Sequence, residues 1–175
     1  MKDFILIKPT SEYASQIAEY RQEFLAVGDS MDGCGSLRVM ENPLDFIKKC
    51  KDYESEETLP EGRVIATQFL LIRRCDNRLV GMLQVRHYFN DYLKKYGGHI
   101  GYSIRPSERR KGYAKQLLKM ALPFCREIGL DKVLITCIDG NIGSEKTILA
   151  NGGVYEYTIH EPNERVDLKR FWITP

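Results

Sequence analysis

No stretch of this sequence approaches the roughly 18 consecutive apolar residues that a bilayer-spanning helix needs, so no membrane partner is expected. Met1 to Thr10 has neither an apolar core nor a small-residue cleavage site, and no secretory leader is expected there. Net charge is nearly absent. The 26 basic residues face 24 acidic ones, and the formal charge of +2 gives no global field for nucleic acid. Any anion site must therefore come from local clustering. No Cys-x-x-Cys pair occurs and no cysteine stands at ligand spacing from a histidine, so no metal is expected. Cys34, Cys50, Cys75, Cys125 and Cys137 are odd in number and read as reduced thiols of a cytoplasmic protein, not as a disulfide framework. Internal repeats, low-complexity tracts and long linkers are also missing. The 175 residues suit one domain spanning 1–175.

What is present alternates between strand-like and helix-like patterns. Phe4 to Lys8 reads as a short strand. Ser11 can then cap a helix whose apolar face is Tyr13, Ile17, Tyr20, Phe24 and Leu25. Gly28 to Gly35 reads as loop, and Pro43 opens a short helix through Phe46, Ile47 and Cys50. Val64 to Arg73 and Leu79 to Tyr88 flank Asp76-Asn77 as a hairpin. Ile100 to Ile104, Lys132 to Ile138, Val154 to Ile159 and Val166 to Ile173 are further strands. Helical patterns lie between strands in the middle of the chain, so the class is α/β or α+β with a mixed sheet. Asp52 to Glu61 holds five carboxylates and no basic residue, either a solvated loop or an acidic rim for a cationic substrate.

The chemistry concentrates where the Ile100–Ile104 strand meets the next helix. Arg105-Pro106 leads into Glu108-Arg109-Arg110-Lys111-Gly112-Tyr113-Ala114, and then Ala114, Leu117, Leu118, Ala121, Leu122, Cys125 and Ile128 form one apolar stripe. Pro123 falls inside this helix, which is expected to kink there or to end near Leu122 and restart. A helix start leaves about four N–H groups unpartnered and carries about half a positive charge. Basic side chains crowded onto that end oppose the dipole unless an anion joins them. Gly112 lets an anion approach the backbone, and Arg109, Arg110, Lys111 and Lys115 surround it, with Arg105 nearby. The assembly suits a pyrophosphate. The Walker pattern and Gly-x-Gly-x-x-Gly are both absent.

The Arg-x-x-Gly-x-Ala pattern at Arg109, Gly112 and Ala114 resembles the pyrophosphate loop of the GNAT superfamily of acyl-CoA N-acyltransferases. The resemblance continues through the Val133–Ile138 strand, Asn141-x-x-Ser144 at a helix start, and Asn151-Gly152-Gly153. Gly97-Gly98-His99-Ile100-Gly101-Tyr102 resembles a bacterial subgroup of acetyltransferases. The implied fold is a mixed, mostly antiparallel sheet, with a splayed central parallel strand pair and flanking helices. The implied cofactor is acetyl-CoA, serving as acyl donor.

That resemblance implies the roles that follow. Main-chain amides from Arg110 through Lys111, Gly112, Tyr113 and Ala114 to Lys115 hold the pyrophosphate. Ser103, Ile104 and Arg105 run beside the pantetheine arm, and Asn141 and Ser144 face the same ligand. Many members place a tyrosine acid seven residues after the asparagine, and Ile148 stands there instead. Tyr102, Tyr155, Tyr157, Cys137 or a water are the replacements to weigh. His99 and, second to it, His87 are candidate bases. The acceptor is an amine of a small molecule or a protein, with the acidic stretch and Glu41 leaning toward a cationic one. A homodimer through a sheet edge is a further implication. The competing reading is a non-catalytic acyl-CoA-binding module.

Overall fold

The computed structural model describes residues 3–175. Met1 and Lys2, the first residues of the segment read above for a leader, lie outside the described residues. In chain order the elements are β1 (Phe4–Ile7), α1 (Ala14–Val27), α2 (Pro43–Asp52), β2 (Ala66–Arg73), β3 (Arg78–Arg86), β4 (Ile100–Ile104), α3 (Tyr113–Glu127), β5 (Val133–Ile138), α4 (Ile142–Leu149), β6 (Val154–Glu161) and β7 (Val166–Ile173). No helix among the described residues is long and apolar enough to cross a membrane.

Two antiparallel sheets form, in the orders β1-β2-β3-β4 and β5-β7-β6. The mixed class with flanking helices is the one expected. Strand β2 is buried from Ala66 to Ile72 because both of its faces are covered. Phe69 and Leu71 point to one core with α3, while Leu70 and Ile72 point to the other with α1 and α2. A bulge between Leu71 and Ile72 pairs them with Gly81 and Leu79 and leaves Val80 extra. The period of two is thereby reset, and Leu79 and Met82 share the α1 side.

Helix α3 buries Leu117, Leu118, Ala121 and Cys125 against the sheets. Each fully buried leucine contributes about 2 kcal/mol, more than the helix end loses by crowding cations. The helix neither stops nor restarts at Pro123. It runs on to Glu127, so packing of the stripe outweighs the hydrogen bond that proline cannot donate. Ser11 is not a helix cap. It opens a single 3-10 turn, Ser11–Tyr13, that feeds directly into α1. Helix α1 ends at Gly28 in the left-handed region, whose N–H reaches the carbonyls of Phe24 and Leu25.

The chain after α1 folds back across β4. Gly33 sits on Gly101 so closely that a Cβ there would lie 2.1 Å from the Gly101 carbonyl oxygen, and its φ is +71°. Gln68 donates to the Gly33 carbonyl at 2.7 Å and fixes the loop to the sheet. We expect Gly33→Ala to cost at least ~2 kcal/mol in urea unfolding, through clash and strain together. Gly129→Ala, with φ +84° but open space around it, should cost ~1 kcal/mol. Equal costs for the two would contradict this packing.

Candidate functional site

Strands β4 and β5 start together and then part. The His99 N–H donates to the Leu134 carbonyl at 2.7 Å, and the Leu134 N–H donates to His99 Nδ1 at 2.9 Å. Beyond that clamp no ladder joins the two strands, which belong to different sheets. Tyr102, three residues along β4, feels Cys137, three residues along β5, so the strands run in the same sense as they open. Two bonds fix which edge of β4 faces the gap. Arg86 N–H to His99 O and Arg105 N–H to Val80 O turn the main-chain groups of the odd-numbered residues within β4, Gly101 and Ser103, to β3. The main-chain groups of Ile100, Tyr102 and Ile104 therefore face β5. The Ile104 carbonyl is taken by Arg109 Nε at 3.1 Å.

The wide end of the wedge meets the turn before α3. Gly112 caps that helix at φ +80°, after Arg110 at φ +62°, and no side chain caps it. Among the described residues, the N–H groups from Arg110 to Lys115 donate to no protein acceptor. Two left-handed residues, with Lys111 between them, and a helix start aim unpartnered donors at one place, which is an anion nest. A second helix start, that of α4, lies on the opposite wall. The Asn141 side chain caps it, accepting from Ser144 N–H at 3.1 Å.

These walls enclose a cavity of about 650 Å³. Arg110, Lys115 and Lys146 line it, and none of them is in an ion pair among the described residues. Gly143, Lys146 and Thr147 are lining residues that the sequence reading did not name. The wedge thus has donors for a diphosphate at its mouth and unpaired main-chain amides along one side.

Deeper in the wedge, the Tyr102 hydroxyl lies 2.8 Å from Ser144 Oγ. Burial pushes its pKa to about 12, so it keeps its proton at neutral pH. Asp32, on the loop over β4, lines the same cavity and holds Ser30 Oγ at 3.0 Å. No local pattern marked Asp32, because a single fold-back brings it to the wedge. Ile148, at the family's usual tyrosine position, is fully buried in the core beneath Gly153.

A second cavity, about 470 Å³, opens on the α2 side of the sheet. Gln84 in its wall is the cross-strand partner of Gly101, beside Tyr102.

A family model described as the acetyltransferase (GNAT) family matches residues 38–150. No curated protein matches the sequence. Solved structures of similar fold include a ribosomal-protein-S5-alanine acetyltransferase of Vibrio fischeri, at 15% identity and TM-score 0.72, covering 99% of this chain and 94% of that one. Mycobacterium smegmatis RimJ, solved with a CoA-disulfide, is 18% identical at TM-score 0.72, with 98% and 81% covered. The microcin C7 self-immunity acetyltransferase MccE, solved with acetyl-CoA and AMP, is 17% identical at TM-score 0.71, with 100% and 94% covered.

The structure redirects several expected residues. Arg105 is buried and faces away from the wedge, ion-paired to Glu23 at 2.9 Å and Glu19 at 3.3 Å. Its main chain belongs to the β3 ladder. Ser103 borders the cavity, yet its hydroxyl turns to Tyr20 and Cys34. Lys111 pairs with buried Glu108, which also holds Arg73. Arg109 lines the cavity while tying the loop to Asp29 at 2.6 Å. Tyr155 is exposed on β6 against Phe171, and Tyr157 stacks on Arg170, so neither reaches the wedge. The carboxylates of Asp52 to Glu61 border neither cavity, and Asp52 and Glu54 are paired to Lys48 and Lys8. His87 is bound to Thr67 at 2.9 Å. His99 is the strand clamp. It is buried against Phe89 and borders neither cavity. Burial first, then the Arg86 charge, lowers its pKa from 6.5 to about 4. The unfolded chain therefore binds a proton between those values that the folded chain refuses, and stability falls as pH drops through that window. We expect this slope, worth up to ~3 kcal/mol, to shrink in His99→Leu, measured by urea unfolding across pH. An unchanged slope would contradict the clamp.

Proposed function

Since the chain belongs to the acetyltransferase (GNAT) family, whose members are N-acetyltransferases, we propose that it transfers the acetyl group of acetyl-CoA to an amine of a small molecule or a protein. The observation that carries this reading is the wedge, with its unpartnered amides and a cationic mouth. The residues fit the cofactor. The amides from Arg110 to Lys115 hold the diphosphate, with Arg110, Lys115 and Lys146 adding charge. The edge of β4 at Tyr102 and Ile104 offers main-chain partners for the pantetheine amides. RimJ and MccE, of similar fold, were solved with coenzyme A species.

Acetyl-CoA supplies the activated acetyl group. A C–N bond forms to the amine nitrogen as the C–S bond breaks. Unpaired N–H groups of Tyr102 and Ile104 are placed to meet the charge that develops on the carbonyl oxygen. Asp32 takes the proton of the amine, directly or through water. Tyr102 gives its proton to the departing sulfur, the task that Ile148 has no group to perform. Burial keeps the hydroxyl protonated at neutral pH, and Ser144 Oγ lies 2.8 Å from it. We read 1–175 as one domain that carries the whole site.

The mouth is tested by Gly112→Asp, which adds like charge to the anion and a side chain at φ +80°. Coenzyme A affinity should fall at least about tenfold, ~1.4 kcal/mol, by calorimetry. A folded variant with unchanged affinity contradicts the site. For the acid, Tyr102→Phe should lower kcat by about 10–100-fold with coenzyme A affinity nearly unchanged. Ser144→Ala should cost much less. If Ser144→Ala matches Tyr102→Phe, the hydroxyl only positions α4. The burial of Ile148 favours a second reading, a module that binds acetyl-CoA without turnover, and coenzyme A binding with no thiol release on any amine would support it.

A further inference from the structure

The second cavity lies beside the Gly33–Gly101 contact, with Gly35 and Gln84, the cross-strand partner of Gly101, in its wall. Its charge is one-sided. Lys49, Arg63 and Arg86 line it, no carboxylate does, and none of the three forms an ion pair among the described residues. Arg86 is the innermost of them, on β3 behind His99. Its Nη1 donates to the carbonyls of Gly97 and Gly98 at 3.2 Å each, which fixes the planar fork. Neither Nε nor Nη2 is hydrogen-bonded to an acceptor among the described residues. Burial disfavours the charge of this guanidinium, and the nearest acidic groups it feels are Tyr92 and Asp32, neither in contact. A cation placed this way is costly unless an anion comes to it.

The same wall holds the complementary lack. Gln68 spends its Nε2 on the carbonyls of Gly33 and Leu83, at 2.7 and 3.0 Å. Those two acceptors fix the amide's orientation, because a flip would set oxygen against oxygen. Oε1 is left buried without a partner. A buried acceptor wants an N–H, and a fixed guanidinium fork wants a carboxylate.

We infer that this cavity is the acceptor site and that it takes an amine carrying its own carboxylate, with the carboxylate at Arg86 and the amine toward Gln68 and the wedge. This rests on the acetyl-transfer reading and specifies its substrate class. It replaces the cationic acceptor expected from the acidic stretch, whose carboxylates border neither cavity. Arg86 acts as a specificity residue, and Lys49 and Arg63 at the rim add attraction.

The test pairs the twenty common amino acids with their methyl esters, which keep the amine and lose the negative charge, and adds spermidine as a polycation. Binding to the full chain with coenzyme A present is read by calorimetry, and acetylation by thiol release. At least one amino acid should bind at least about tenfold more tightly than its ester. Arg86→Gln should erase that preference by raising KM, while coenzyme A affinity stays as in the parent. Should Arg86→Gln fail to fold, the exposed Arg63→Ala should still reduce the preference severalfold. Esters or spermidine bound as well as every free acid would overturn the proposal. Loss of coenzyme A binding in the parent protein would instead strike the transferase reading, so the two failures are distinct.

Discussion

One pair of hydrogen bonds, between His99 and Leu134, decides the shape of the wedge. It holds β4 and β5 together at their first residues and at no later point. Past the clamp the two strands enter separate sheets, and an edge of main-chain donors and acceptors is left open. An open edge inside a protein is costly unless something pairs with it. Helix α3 and the apolar residues shared by β4, β5 and β7 stabilise the splayed arrangement, since the core is continuous beneath the gap. The wedge is thus a product of packing below and absence of pairing above.

Electrostatics then assigns the two ends of the wedge different tasks. At the wide end, left-handed Arg110 and Gly112 turn successive amides toward one point, and cations gather on a helix start that alone would repel them. Deeper in, a protonated Tyr102 and the Asp32 carboxylate line the same cavity. The loop from Asp29 to Gly35 joins these regions. It ties Arg109 to Asp29, seats Gly33 on Gly101 and places Asp32 at the cavity.

The local parts of this design were legible in the sequence. The strand, the turn with Gly112 and the amphipathic stripe of α3 all follow from spacing, and each lies where spacing puts it. The long-range parts were not. Arg105 and Arg109 look alike in a basic run, yet Arg105 is buried by Glu19 and Glu23 from α1, some 80 residues earlier in the chain. His99 has the chemistry of a base, but only the β4–β5 contact shows both of its ring surroundings. Asp32 carried no signal because its neighbours in space are far in sequence. Of the five carboxylates in the acidic stretch, Asp52 pairs with Lys48 and Glu54 with Lys8.

The most direct measurement is a crystal structure of the protein with coenzyme A. The account predicts the diphosphate oxygens within hydrogen-bond reach of the amides between Arg110 and Lys115, and the pantetheine amides paired with Tyr102 and Ile104 in the gap. Coenzyme A bound with that turn untouched, or with β4 and β5 closed into a continuous ladder, would contradict it.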